Sequence, residues 1–322
     1  MIKAGIDLGA GSIRLVDPED GVIFDEAAVI AVDEKGHCLA YGDEALEMKG
    51  VQDSQIHVKS TVTNGKVDLD VLETLLDQLF YQFKLLRMFK KTVLVLSYPD
   101  TLSADDCSRL KDRLLSMGVY KVYFDKEIWM SAIGAGLDLS LPVSSCVMNM
   151  GFGNCDIAVF SEGRMRKESS ARAAGLRVRK AIRNWIRQTH CLAVSDMTLE
   201  QINRELGCTR PHPNPRSLEI TGFDIYHHTP RNVIITENDV AQALGPLCEQ
   251  WARWIADFLM TLDENERQDV RMRGIVCCGG TMKLEGLDAY LQSVLGCPVY
   301  VTDNPATTVS RGLQILLERI DD

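Results

Sequence analysis

The chain has 322 residues, of which 46% are hydrophobic and 25% are charged, and its formal net charge is −10. This length allows two domains with cores of their own, and the acidic charge argues against general binding to nucleic acids. No apolar run reaches the length of a membrane span, and the N-terminal residues lack the segments of a signal peptide. We therefore expect a cytoplasmic protein whose ten cysteines are reduced.

The first predicted element is a hairpin built around a glycine-rich turn. Residues 2–6 and 12–16 have strand patterns, and the link between them is too short for a helix. Gly9 and Gly11 allow backbone angles closed to other residues and let an anion approach the amides. Asp7 ends the first strand, and a carboxylate beside backbone N–H groups suits a Mg-nucleotide. The alternative is an ordinary glycine turn capped by Asp7.

The rest of the first half alternates between strands and helices, which is typical of an α/β protein. Apolar residues recur at helical spacing over residues 67–83. Ser103 and Asp106 have the form of a capping box that opens a helix to residue 117. The strand at residues 56–58 is expected to return the chain toward the first sheet. The other predicted elements are strands at 21–24, 27–32, 38–41, 92–97 and 120–124, and helices at 42–49 and 128–137.

A second glycine turn repeats the design of the first. The stretch Asn149-Met150-Gly151-Phe152-Gly153-Asn154 lies between predicted strands at 145–148 and 156–160. Two such strand–turn–strand units, far apart in sequence, suggest two similar halves that face each other. A third glycine turn, Gly279-Gly280-Thr281, follows the apolar run 274–277. We expect the three turns to converge on one ligand in a cleft.

The second half also contains helices with recognisable starts. A basic amphipathic helix is predicted over residues 174–188, and the capping pattern at Thr198 predicts a helix to residue 206. A long helix is predicted from Thr236 to residue 262, and Asn304-Pro305 has the residues that start a final helix. Gly312 of that helix matches Gly134, so the two helices could cross closely and act as a hinge. Further strands are predicted at 164–170, 217–221 and 232–235.

Several stretches together resemble the actin-like ATPase superfamily and, within it, the MreB family of bacterial actins over nearly the whole chain. They are Gly5-Ile6-Asp7-Leu8-Gly9, Leu39-Ala40-Tyr41-Gly42-Asp43-Glu44-Ala45, Ala132-Ile133-Gly134-Ala135-Gly136-Leu137 and segments 200–207, 222–231 and 274–287. The resemblance implies an α/β actin-like fold of two duplicated lobes, each with a mixed sheet flanked by helices and an inserted smaller subdomain.

The resemblance also implies domain boundaries and ligands. The first lobe comprises residues 1–140 and 305–322, with an insertion at about 29–58. The second comprises residues 141–304, with an insertion at about 178–241. ATP or ADP with Mg²⁺ would lie in the cleft between the lobes.

Site residues follow from the same resemblance. Asp7 would hold the metal, and Glu127 matches the acid that orients the attacking water. Nucleotide-binding roles fall on Gly9, Ala10, Gly11, Ser12, Gly151, Phe152, Gly153, Asn154, Gly175, Glu200, Asn203, Gly279, Gly280 and Thr281.

The chain departs from the family's pattern at the second turn. Asn149 replaces the acid there, so a dipole stands where a full negative charge would face Mg²⁺. Phe152 replaces the middle glycine and adds bulk where a phosphate should approach the backbone. Asn154 replaces the threonine. The other departures are Lys126 for an acid, Ile128 for a proline, Leu176 for an acid, Asn203 for a lysine and Thr281 for a glycine.

These departures predict weakened or absent hydrolysis, because losing one water-positioning or base group costs roughly 10²–10⁴ in rate. Two interpretations stay open: sequence drift in a fold that uses nucleotide as structural glue, or a paralogue that no longer hydrolyses ATP usefully.

The resemblance implies membrane-associated filaments on the inner face of the cell membrane that determine cell shape and organise wall synthesis. The expected partners are further copies of the chain, an anionic membrane surface and cell-envelope morphogenesis proteins, but no nucleic acid. A non-polymerising scaffold for envelope partners is the alternative. An active kinase is disfavoured, because the short insertions offer no substrate pocket beside Asp7 and Glu127.

A short connection between residues 83 and 92 carries the membrane prediction. It resembles a family loop that dips an apolar pair into the bilayer, here Met88-Phe89 with Arg87, Lys90 and Lys91 around it. An apolar tip with basic flanks suits an anionic lipid surface. The alternative is that Met88 and Phe89 pack on the first sheet.

Overall fold

The computed structural model describes residues 1–49, 55–63, 66–99, 102–172 and 174–320. The chain divides into two compact units. The first comprises Met1–Asp138, Phe152–Asn154 and Thr307–Asp322, and the second comprises Leu139–Gly151 and Cys155–Ala306. Among the helices of the described ranges, none combines the length and the apolar character needed to cross a membrane.

The first unit is built on a five-stranded sheet. Its elements are β1 (Ile2–Leu8), β2 (Ser12–Asp17), β3 (Gly21–Ala27), β4 (Val29–Val32), β5 (Cys38–Tyr41), α1 (Gly42–Glu47), β6 (His57–Ser60), β7 (Val62–Thr63), β8 (Lys66–Val67), α2 (Leu69–Gln82), β9 (Thr92–Tyr98), α3 (Ala104–Ser116), β10 (Lys121–Lys126) and α4 (Glu127–Gly134). The sheet order is β10-β9-β1-β2-β3. β1 and β2 form the predicted antiparallel hairpin, while β9 runs parallel to β1 and β10 runs parallel to β9.

Both faces of this sheet are covered, which explains the continuous apolar character of its central strands. Ile6 and Leu94 pack on one face with buried leucines of α2 such as Leu75. Val95 packs on the other face with Leu313. Leu313 belongs to the final helix, Thr308–Glu318. The predicted capping box of α3 is confirmed, since Ser103 and Asp106 exchange the expected hydrogen bonds.

The insertion in the first unit differs from the prediction. β6 does not return to the first sheet but pairs with β4, in a separate three-stranded sheet of order β5-β4-β6. Periodicity alone gave no partner for so short a strand. The small β7–β8 pair was not predicted.

The second unit repeats the plan of the first. Its elements are β11 (Ser145–Met150), β12 (Asn154–Ser161), β13 (Arg164–Arg172), α5 (Ala174–His190), β14 (Leu192–Ala193), α6 (Asp196–Leu206), β15 (Ser217–Asp224), β16 (Pro230–Thr236), α7 (Glu237–Thr261), α8 (Glu264–Arg273), β17 (Ile275–Cys278), α9 (Leu287–Leu295) and β18 (Val299–Val301). The last helix, α10 (Thr308–Glu318), belongs to the first unit.

The main sheets of the two units share one topology. The order β13-β12-β11-β17-β18 corresponds strand for strand to β3-β2-β1-β9-β10. In each sheet an antiparallel hairpin is followed by two strands parallel to its first member. The predicted duplication of an α/β fold is therefore confirmed. A smaller sheet of order β14-β15-β16 completes the second unit.

Several boundaries in the second half differ from the prediction. α6 is capped by Ser195, whose hydroxyl accepts from the backbone N–H of Thr198, so the helix starts before the predicted cap at Thr198. α10 begins at Thr308, because Pro305–Thr307 forms a 3₁₀ turn. α8, α9 and β18 were missed, although Asp263 and Glu266 form a capping box in front of α8.

Candidate functional site

The first glycine turn lies between β1 and β2, as predicted. Gly9 has no space for a side chain, since a Cβ atom there would lie 2.7 Å from the carbonyl oxygen of Ser12. Ser12 itself is the first residue of β2. The tight turn leaves Ala10 and Gly11 at its tip, directly after the end of the central strand β1.

Asp7 is buried at the end of β1 and is already paired. Its side chain is in register with Arg14 of β2, and Oδ2 accepts from Arg14 Nη1 at 3.2 Å and from Ser310 Oγ at 3.1 Å. Burial raises the pKa of Asp7, while the guanidinium and the hydroxyl act in the opposite direction. The carboxylate thus sits in an apolar site with one strong cationic partner.

Arg14 joins two acids. Its Nε lies 2.9 Å from Oδ1 of Asp25 on β3, so the guanidinium stands between Asp7 and Asp25 across three strands. Burial alone would lower the pKa of Arg14, but the two carboxylates outweigh burial and raise it. The guanidinium is therefore a fixed positive charge. The hairpin register could have predicted this pair, because Arg14 faces Asp7 across the turn.

These residues do not fit a Mg²⁺ ion held through Asp7. Mg²⁺ prefers carboxylates, waters and phosphate oxygens in an octahedral shell, and here the carboxylate already accepts from a guanidinium and a hydroxyl. The counterpart at the end of β11 is Asn149, whose Oδ1 lies 3.8 Å from Cys278 Sγ. Within the described ranges, no group of three or more His, Cys, Asp or Glu side chains could hold a metal ion.

Phe152 lies against the first glycine turn. A Cβ atom added to Gly11 would lie 2.9 Å from Cγ of Phe152, and one added to Gly153 would lie 2.5 Å from Cβ of Ala10. All four residues belong to the first unit. The aromatic ring therefore fills the space beside Gly11 that a side chain would take, which is the bulk that the sequence predicted at this position.

The predicted catalytic acid, Glu127, is the first residue of α4 and is 8% exposed. Two residues earlier, burial raises the pKa of Asp125 at the end of β10, against a hydrogen bond from the backbone N–H of Lys126. The first unit thus places one buried and one half-buried carboxyl group around the start of α4. Glu127 has the predicted place in the sequence of elements, and its role in hydrolysis stays a prediction.

In the second unit, three separate segments meet at Gly151. Its carbonyl accepts from the backbone N–H of Gly175 at 3.1 Å and from Thr281 Oγ1 at 2.9 Å. Gly279 has φ +91°, and a Cβ atom there would lie 2.3 Å from the carbonyl oxygen of Met150. The structure therefore brings together the second turn, the start of α5 and the third turn. Gly280 opens the 3₁₀ helix Gly280–Lys283 that follows, and Asn154 opens β12.

Glu200 and Asn203 lie one turn apart on α6. The carboxylate of Glu200 forms an ion pair with Arg179 of α5. Asn203 is different, because its Oδ1 is buried and has no hydrogen-bond partner in the parts of the chain that the structure describes. A buried acceptor without a donor is costly. A ligand hydroxyl would remove that cost.

The connection between α2 and β9 presents Met88 and Phe89 to solvent. They are 83% and 96% exposed, at the tip of a turn in which the Lys90 N–H donates to the Arg87 carbonyl at 3.1 Å. Phe89 has φ +69°, a left-handed conformation that disfavours side chains other than glycine. The alternative that this pair packs on the first sheet is therefore wrong.

Comparison with known proteins gives consistent relatives. A family model described as MreB/Mbl protein matches residues 1–322. The cell shape-determining protein Mbl of Bacillus subtilis (strain 168) is 28% identical over 319 residues, which cover 98% of this chain and 96% of that protein. The cell shape-determining protein MreB of Escherichia coli (strain K12) is 28% identical over 326 residues, covering 98% and 93%.

Solved structures agree on the fold. MreB5 of Spiroplasma citri bound to ADP superposes with a TM-score of 0.91 at 24% identity, covering 98% of this chain and 95% of that one. The same protein bound to AMPPNP gives the same values. A MamK double helical filament gives a TM-score of 0.82 at 19% identity, covering 99% of both chains. At these identities the structural likeness establishes the actin-like fold.

Proposed function

The chain belongs to the MreB/Mbl family, and we propose that it is a cell-shape protein that binds adenine nucleotide and forms filaments at the membrane, with weak or absent ATP hydrolysis. The observation that carries this proposal is the contact of Phe152 with Gly11. The chain keeps the glycine turns of a nucleotide-binding family, but an aromatic ring lies against one of them.

Nucleotide binding is supported by the parts of the site that are preserved. The first turn has the tight form that exposes backbone amides, and Gly175 and Thr281 hold the second turn through Gly151. The unpartnered acceptor of Asn203 suits a ribose hydroxyl. MreB5 of Spiroplasma citri, a relative in fold, binds ADP and AMPPNP.

Two features support weak hydrolysis: the aromatic ring beside the first glycine turn and the acid that is missing from the second glycine turn. Attack on a γ-phosphate requires a phosphate held by amides and metal and a water held by a base. Phe152 adds bulk beside Gly11, Asn149 supplies no charge, and Asp7 is paired with Arg14. Glu127 remains the candidate base. The proposed binding does not use Mg²⁺ at Asp7, because this carboxylate is already paired with Arg14.

Membrane attachment is supported by the exposed tip and its charges. Burying one large apolar side chain contributes about 1.5–3 kcal/mol, and each basic residue near an anionic surface contributes about 1 kcal/mol. Arg87, Lys90 and Lys91 flank Met88 and Phe89 in the sequence. A single loop would bind weakly, and a filament with many loops would bind by avidity. We place the filament on the inner face of the cell membrane, where envelope morphogenesis proteins would be its partners.

The test combines three measurements on the purified chain. A fluorescent ATP analogue should bind and be displaced by ATP and ADP, while phosphate release should stay near the background rate. Sedimentation should recover filaments, as in the MamK double helical filament, and anionic vesicles should sediment with them. Nucleotide binding without sedimentable polymer would instead support a non-polymerising scaffold, and phosphate transfer to a small-molecule acceptor would support a kinase.

A further inference from the structure

Arg14 stands where a metal would have to meet Asp7. The guanidinium is 3.2 Å from the Asp7 carboxylate, and the Arg14 side chain is only 14% exposed. Across the hairpin, Leu8 pairs with Ile13, so the guanidinium lies beside the last residues of β1, directly below the glycine turn. A positive charge is therefore built in beside Asp7, one register step before the last pair of the hairpin.

This guanidinium keeps hydrogen-bonding capacity. Arginine has five N–H donors and no acceptor. Nη1 donates to Asp7 and Nε lies 2.9 Å from a carboxylate oxygen of Asp25, so these two nitrogens face acids. The Nη2 group carries two further N–H donors, and these are the donors that a phosphate oxygen would use.

We propose that Arg14 takes the place of Mg²⁺, so that this chain binds nucleoside di- and triphosphates without a metal ion. Guanidinium groups bind phosphate oxygens through paired, charge-assisted hydrogen bonds. Unlike a metal ion, the charge of Arg14 cannot be removed by a chelator. The inference rests on the nucleotide binding proposed above and specifies the form of the ligand, the free phosphate anion instead of its magnesium complex.

The arrangement also explains why an amide is tolerated at position 149. In the family's pattern an acid stands at position 149, and Asn149 supplies no charge for a metal ion. With a guanidinium, no second carboxylate is required, because Asp7 and Asp25 already hold the cation. The acid missing at position 149 and the arginine at position 14 then belong to the same change, in which a guanidinium replaces a metal ion as the cation.

The test is a titration of the wild-type chain with ATP in excess MgCl₂ and in excess EDTA. We expect dissociation constants that agree within about threefold, a difference well below one tenfold step of affinity. A gain of tenfold or more with Mg²⁺ overturns the inference and leaves the proposed nucleotide binding intact. Absence of binding in both buffers overturns both.

A variant then assigns the effect to the side chain. Arg14→Met keeps the aliphatic stem and removes the charge, and should lower ATP affinity in EDTA by about tenfold or more. Arg231→Met is the matched control, because it breaks an ion pair to a buried acid of the second unit, Asp224, at 3.0 Å. It should leave ATP affinity unchanged. Equal affinities for wild type and a folded Arg14→Met chain overturn the assignment, and the wild-type buffer comparison decides the matter if that variant does not fold.

Discussion

Gly134 of α4 and Gly312 of α10 cross so closely that neither position has space for a Cβ atom. A Cβ atom at Gly134 would lie 1.9 Å from the carbonyl oxygen of Thr308, and one at Gly312 would lie 2.0 Å from the carbonyl oxygen of Met130. The close crossing predicted from the two glycines is confirmed. Both helices belong to the first unit, and a hinge role for the crossing stays a prediction.

We expect Gly134→Ala to destabilise the chain by about 1–3 kcal/mol, the usual cost of overpacking, because backbone atoms and not a flexible side chain block the new methyl group. Gly245→Ala in α7 is the control, since nothing lies within 4 Å of its Cβ position. That change should alter stability by less than about 1 kcal/mol, because the gain of replacing a helical glycine is offset by Pro246, which disfavours helical backbone at a preceding residue with a Cβ atom. Urea unfolding measures both, and equal midpoints for the two variants would contradict the close crossing.

The second prediction concerns turnover. Asn149→Asp restores a carboxylate, and Phe152→Gly removes the ring from Gly11. Together they should raise the rate of phosphate release, by up to about 10²–10⁴-fold if one missing group limits it.

Phosphate release by the double variant is compared with wild type and with Phe223→Ala, which removes a half-exposed ring on β15 of the second unit. The control should stay at the wild-type rate. A well-folded double variant without any gain would mean that another departure, such as Lys126 or Asn203, limits hydrolysis.

The third prediction concerns the exposed loop. Met88→Ser with Phe89→Ser should abolish co-sedimentation with anionic vesicles, since about 1.5–3 kcal/mol per large side chain is lost in every copy of the filament. Tyr81→Ser is the control, because Tyr81 is another exposed aromatic of the first unit, on α2. If the double serine variant still folds, polymerises and sediments with vesicles as wild type does, the loop is only a linker.

The fourth prediction concerns the buried acceptor on α6. If Asn203 Oδ1 accepts from a ribose hydroxyl, wild type should bind ATP more tightly than 2′-deoxy-ATP or 3′-deoxy-ATP, by about 1–3 kcal/mol for whichever hydroxyl it contacts. Asn203→Ala should bind all three nucleotides alike. Competition against a fluorescent analogue measures the preference, and an unchanged preference in the variant would remove Asn203 from the site.

Much of the fold follows from local sequence. The two glycine turns and the capping box at Ser103 depend on residues close together in the chain, and the structure has them as predicted. The pairing of strands that are far apart in the chain was harder to predict from the sequence. β6 has the strand character expected at 56–58, yet its partner is β4, because a four-residue strand carries too little pattern to specify a sheet.

In the candidate site, too, local features were predictable from the sequence and long-range contacts were not. The glycine turns and the resemblance predicted Asp7, Asn149 and Phe152 as positions of the candidate site, and their roles stay predictions. The contact of Phe152 with Gly11 and the pairing of Arg14 with Asp7 needed the fold, since each joins atoms whose distance depends on how strands and turns are placed. The resemblance supplied roles for the family's usual residues and none for Arg14, which is outside its pattern.

The backbone at Phe89 has a consequence for the stability of the exposed loop. A non-glycine residue in the left-handed region costs roughly 1–2 kcal/mol, and Phe89 stands there with φ +69° and its ring in water. Glycine or asparagine at that position would make a more stable protein. Phe89→Gly would therefore stabilise the loop and at the same time remove the exposed ring, so stability and the apolar tip are opposed at this position.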